Sequence, residues 1–161
     1  MDLAPKAVFV AEGGVTLHGT LSASAGVAWP WEWSRVWRGG EWSGTTELFV
    51  SHWSAKQSGG ERAALTQVGV TPLLRCRFDS GRSPLFAEAG IGLSWLDSLY
   101  RSDRKQFSTR FNFYDAVGVG MNFGARGEHE IGVRFSHVSN AGIKRPNPGE
   151  NFLQLRYVRN F

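Results

Sequence analysis

The sequence predicts an all-β protein, an eight-stranded antiparallel up-and-down barrel that crosses a membrane, and three observations predict it. Alternation with a period of two recurs along the chain, whereas helical spacing of apolar residues is hard to find. The alternating segments are separated by Gly, Pro, Ser and charged clusters, and eight of them can be drawn. Each carries one apolar face and one face of small or charged residues, the latter including His18, Glu88, Arg110, Glu130, Arg134 and Arg156. Small residues suit the crowded interior of a narrow barrel and mixed charges can pair there, so the apolar set must face outward, which only lipid tolerates.

The elements follow in order. A less regular strand fits Ala7–Gly14. From Val15 to Trp29 the odd positions are mostly apolar and the even ones small and polar. A second irregular strand fits Thr46–Lys56. From Ala64 to Phe78 the parity changes, with Val68, Val70, Leu74 and Phe78 opposing Gln67, Thr71, Arg75 and Arg77. Leu85, Ala87, Ala89, Ile91, Leu93 and Trp95 form the next apolar face. Phe107, Phe111, Phe113, Val117, Val119, Met121 and Phe123 form another, with Asp115 as its polar exception. Ile131, Val133 and Phe135 come next, then Leu153, Leu155, Tyr157 and Phe161. Trp29, Trp31, Trp33, Trp37, Trp42, Trp53, Trp95 and Phe161 lie near strand ends, where aromatic girdles meet the membrane interface.

Composition bounds the rest. With 161 residues the chain is one domain, 1–161, and 20% charge with 13% aromatics argues against disorder. The net charge of +4 is scattered, so nucleic-acid binding is only weakly suggested. One cysteine, Cys76, excludes an internal disulfide and a cysteine-based zinc site. No apolar run is long enough for a transmembrane helix, and MDLAPKAVFV does not read as a signal peptide. Either the chain is cytosolic or it begins after a removed leader.

The chemistry concentrates in FSHVSNAGIKRPNPGE, residues 135–150. Continuing the face of Ile131, Val133 and Phe135 brings His137 and Ser139 outward. Residues i and i+2 of a strand lie roughly 6.5–7 Å apart, so the imidazole can reach the serine proton. Polar residues at a strand end also have an ordinary explanation, hydrogen bonding to water or lipid headgroups. The Gly- and Pro-rich loop that follows returns Glu150 to the adjacent strand, where a carboxylate could orient the second imidazole nitrogen. Asn140 can donate toward an oxyanion, or serve as a turn residue. His18, His52 and His129 have no metal-site spacing, and GLSW at 92–95 lacks a nucleophile elbow.

HVSNAGIKRPNPGEN resembles the signature of the outer-membrane lipid A 3-O-deacylases, the PagL family. AWPWEWSRVW, PLFAEAGIGLSW and FNFYDAVGVGMNFG resemble further segments, so the likeness covers nearly the whole chain. It implies an eight-stranded outer-membrane barrel that removes the ester-linked acyl chain at position 3 of lipid A with a Ser-His-Glu triad. Carried over, the nucleophile is Ser139, the base His137, the acid Glu150 and the oxyanion residue Asn140, with Asn147 in a supporting role. Lys144 and Arg145 are candidates for lipid A phosphates. The PNPGE turn is one residue shorter than the family pattern, and Glu150 has the opposite parity to Leu153, Leu155 and Tyr157. To reach His137 it must use a bulge near Asn151–Phe152 or remain in the loop.

The expected partners are lipopolysaccharide and outer-membrane lipid, with no metal, cofactor or nucleic acid, and activity is expected of the monomer, an oligomer also being compatible with the sequence. Three rivals make different predictions. An outer-membrane phospholipase would prefer phospholipid, a structural or adhesion barrel would release no acyl chain, and a soluble lipid carrier would dissolve without detergent.

Overall fold

The computed structural model describes residues 7–160. Eight strands close into one barrel in sequence order: β1 Val8–Thr16, β2 Leu21–Trp37, β3 Gly40–Lys56, β4 Arg62–Arg77, β5 Leu85–Leu96, β6 Phe111–Phe123, β7 His129–Ser139 and β8 Glu150–Arg159. Every neighbouring pair is antiparallel, and β1 closes on β8 from Phe9↔Arg159 to Thr16↔Phe152. No strand edge is left open, the condition for a sheet in lipid.

The faces follow the expected parity. Ile131, Val133 and Phe135 are 46, 44 and 47% exposed, and Val117, Val119, Leu153 and Leu155 likewise stand on the outer wall. The middle of the barrel is filled by charge. Arg134 meets Glu12, Glu47 and Glu88 at 3.0, 3.0 and 2.8 Å; Arg156 meets Glu12 and Glu47 at 2.8 and 2.6 Å; Arg75 joins Glu88 and Glu130 at 2.7 and 2.6 Å. Glycine makes room where bulk cannot fit. A Cβ on Gly90 or Gly92 would come within 2.1 or 2.4 Å of β4 atoms.

Four connections, 17–20, 57–61, 97–110 and 140–149, gather at one end of the barrel. Beneath them the interior changes from charged to apolar, with Trp53, Leu65, Leu96, Tyr100, Phe107, Val138 and Phe152 in one buried cluster. Trp53 packs on Tyr100 and Phe152 at ring separations of 5.2 and 4.7 Å, and Tyr100 on Phe107 at 4.9 Å.

Several boundaries differ from the sequence reading, each for a physical reason. Val15–Trp29 is two strands joined by a turn at 17–20; the turn holds an even number of residues, so the parity passes through it unbroken. His18 therefore lies in a turn instead of on an inner face. The run from Phe107 begins as a strand only at Phe111, because Phe107 folds inward onto Tyr100. Arg110 is exposed, with its guanidinium 5.5 Å from the Trp95 ring centroid. Trp53 is a core residue, not a girdle one. Trp29, Trp31, Trp33, Trp37 and Trp95 are exposed as expected, and Phe161 lies outside the described residues.

Candidate active site

Strand β7 carries the candidate residues His137 and Ser139, where its outward face turns polar beyond Phe135. After Phe135, His137 is half-buried and Ser139 more so, while Val138 between them is fully buried in the apolar cluster. The inward valine and the ladder on both sides fix the strand: His137 lies opposite Asp115 of β6 and Asn151 of β8, and Ser139 opposite Phe113. Their side chains are thus aimed by backbone pairing rather than by a mobile loop.

The hydroxyl and the imidazole are not hydrogen-bonded to each other in this structure. Ser139 Oγ accepts from the Ala141 N–H at 3.4 Å. A single point nonetheless touches both residues: a Cβ built on Gly149 would lie 3.2 Å from His137 Nε2, 2.6 Å from its Cε1 and 3.5 Å from Ser139 Cβ. Gly149 also has φ +64°, a left-handed conformation that disfavours a side chain. The glycine therefore keeps open the space beside Nε2 and the serine, a need that the sequence registers only as a turn residue.

Glu150 is not brought to the imidazole. It pairs with Val138 and faces inward, 2% exposed. One oxygen accepts from the Tyr100 hydroxyl at 2.7 Å; the other accepts from Lys105 Nζ and the Asn151 N–H, both at 3.1 Å. Tyr100 also bonds Thr20 Oγ1 at 2.8 Å, and Lys105 Nζ donates to the Gly149 carbonyl at 2.9 Å. Burial pushes the Tyr100 phenol up, and its bond to Glu150 adds to this, so the hydroxyl remains a donor. Neither the bulge near Asn151–Phe152 nor a loop position for Glu150 is found: β8 begins at Glu150 in unbroken register with β7. The outward neighbour Asn151 instead holds His137, Oδ1 to Nδ1 at 2.6 Å.

Asn140 is 1% exposed and its side chain turns into the loop. Its amide nitrogen lies 2.8 Å from the Lys144 carbonyl, 3.1 Å from Thr109 Oγ1 and 3.3 Å from Ser108 Oγ, and its Oδ1 accepts from the Gly142 N–H at 3.0 Å. The backbone N–H of Asn140 donates to Asn147 Oδ1 at 3.0 Å, so the two asparagines together brace the turn. An oxyanion role for the Asn140 amide would require it to leave these partners. Lys144 and Arg145 stand exposed in the same loop.

Beside His137 an open groove of about 480 Å³ runs along the outer wall between β5, β6 and β7. Ala89, Ile91, Val117 and Phe135 line it, and Asp115 and His137 stand in its polar part. Another hollow, of about 440 Å³, opens at the opposite end among Trp31, Trp33, Arg75, Glu130 and Arg156. Its charges Arg75 and Glu130 pair with each other at 2.6 Å.

Comparison with known proteins covers nearly the whole chain. A family model described as lipid A 3-O-deacylase (PagL) matches residues 19–160. A lipid A deacylase PagL of Bordetella bronchiseptica is 36% identical over 159 residues, covering 93% of this chain and 84% of its own. One of Pseudomonas aeruginosa is 32% identical over 131 residues, covering 79% and 72%. A crystal structure of the outer membrane enzyme PagL superimposes with a TM-score of 0.83 at 28% identity, over 97% of this chain and 100% of that one. The Yersinia pestis outer membrane protein Ail, solved in a phospholipid bilayer nanodisc, shares the fold alone, with a TM-score of 0.52 at 11% identity over 94% and 97% of the two chains. This chain belongs to the lipid A 3-O-deacylase (PagL) family.

Proposed function

We propose that the protein is an outer-membrane esterase that hydrolyses the acyl ester at position 3 of lipid A, with Ser139 as nucleophile and His137 as base. One observation carries this reading. The hydroxyl and imidazole follow Ile131, Val133 and Phe135 on the lipid-facing side of β7, so the reacting groups meet the membrane and not the barrel interior. A substrate that is itself a membrane lipid explains why a serine and a base should face outward.

In this mechanism Nε2 of His137 takes the Ser139 proton as Oγ attacks the acyl carbonyl. The Ala141 N–H, which donates to Oγ, is a backbone donor beside the serine for the oxyanion, with the turn braced by Asn140 and Asn147. The bond to the sugar oxygen then breaks, and the imidazolium returns its proton to that oxygen. Water, deprotonated by the same imidazole, releases a free fatty acid, a 3-hydroxy acid as the family pattern suggests. The groove lined by Ala89, Ile91, Val117 and Phe135 accommodates the acyl chain, and Lys144 and Arg145 meet the lipid A phosphates. A single protomer carries every group in this scheme.

The test is to incubate the refolded protein with lipopolysaccharide in detergent and weigh the lipid A by mass spectrometry. The protein should remove one acyl chain, and Ser139→Ala and His137→Ala should not. Unchanged release by either variant sinks the assignment. Phospholipid offered in parallel, with and without calcium, distinguishes a phospholipase.

A further inference from the structure

We propose that Asn151, not Glu150, is the residue that positions His137, making the catalytic constellation Ser139–His137–Asn151. The inference rests on the esterase reading above and deepens it. Three observations carry it. Asn151 Oδ1 lies 2.6 Å from His137 Nδ1. The two residues are direct cross-strand partners with both side chains on the outer wall, the arrangement in which side chains of an antiparallel pair approach most closely. Glu150, one residue earlier, has the opposite parity, and its two oxygens are engaged by Tyr100, Lys105 and the Asn151 N–H.

Strand parity accounts for the different roles of the two neighbours. Period two leaves no intermediate choice: removing one residue before a strand moves every following side chain to the other face. Here the glutamate enters the barrel and its successor takes the outward position beside the imidazole. The glutamate then serves the scaffold, tying the 97–110 connection to β8 through Tyr100 and Lys105.

An amide changes what the positioning residue can do. As an acceptor, Oδ1 fixes the proton on Nδ1 and leaves the Nε2 lone pair on the side of Gly149 and Ser139, which orients the base as a carboxylate would. Being neutral, it adds no charge to stabilise the imidazolium. Asp115, opposite His137 on β6, is the charged group that faces the ring from the neighbouring strands; β8 presents Asn151, and the connecting loop keeps Lys144 and Arg145 exposed.

The experiment compares the parent with Asn151→Ala, Asn151→Asp, Glu150→Gln and Ser139→Ala by release of fatty acid from lipopolysaccharide across pH, with the folded fraction of each checked by heat-dependent gel mobility. Asn151→Ala should lower kcat about 100-fold, the cost of misaligning a catalytic group by about 1 Å. Asn151→Asp should recover the activity and move the acid limb of the rate profile to higher pH, because a carboxylate favours the imidazolium. Glu150→Gln should leave that limb where it is. The proposal is overturned if Asn151→Ala keeps the parent's kcat and profile, or if Glu150→Gln, folded, shifts the limb to lower pH. Full activity in Ser139→Ala would instead overturn the serine reading itself, and this one with it.

Discussion

The two faces of β7 treat polar groups in opposite ways. On the inner face Glu130 and Arg134 are locked into a charge network that spans β1, β3, β4, β5 and β8, and every charge has a partner of opposite sign within 3.0 Å. On the outer face His137 has one nitrogen held by Asn151 and the other directed toward open space beside Gly149 and Ser139. Burial and pairing with opposite charge make the first set structural, although Glu12 Oε2 and the Nε atoms of Arg134 and Arg156 have no hydrogen-bond partner. A fixed group with one free edge at a lipid boundary makes the second set capable of chemistry. In the proposed mechanism the same strand thus separates stability from reactivity by parity alone.

Substitutions can break that separation in graded steps. The largest effect belongs to the inner face. Arg134→Met leaves Glu12, Glu47 and Glu88 short of a buried partner and should cost about 3–5 kcal/mol, read as a lowered unfolding midpoint, while each folded molecule stays active. Next comes Gly149→Ala. Its Cβ would overlap Cε1 of His137 and occupy a left-handed position, so kcat should fall about 100-fold with little loss of fold, the displacement of the base being worth more than the strain. The smallest step is Ala89→Trp, which fills the groove from β5, two strands away from His137 and Ser139. KM for lipopolysaccharide should rise about tenfold with kcat kept, the scale of a lost apolar subsite contact. A kcat effect from Ala89→Trp, or normal kcat in Gly149→Ala, would blur the comparison.

The barrel was legible because its code is simple. Outward Val117, Val119, Leu153 and Leu155 and inward Glu88, Glu130, Arg134 and Arg156 follow from alternation and from the rule that charge cannot face lipid. Alternation likewise brings His137 and Ser139 to the outward side of β7. What alternation could not reveal were the places where the chain turns without changing parity, as at 17–20, and where an aromatic leaves the wall to close the end, as Phe107 does onto Tyr100. Glu150 shows the limit most clearly. Its parity was readable and opposed to the face of Leu153, but whether a bulge restored it depended on partners far away in sequence. Tyr100 and Lys105, in the connection between β5 and β6, hold the carboxylate inside. Gly149 and Asn151 carried no local signal beyond a turn and a strand start.

The central claim is that an outward serine of β7 is the nucleophile, and covalent trapping tests it most directly. The protein would be treated with a long-chain alkyl phosphonate ester, an analogue of the acyl transition state, and weighed intact and after proteolysis. The account predicts a single adduct on the peptide containing Ser139, absent in Ser139→Ala and strongly slowed in His137→Ala. An adduct on another residue, or continued deacylation of lipopolysaccharide by protein fully modified at Ser139, would contradict it.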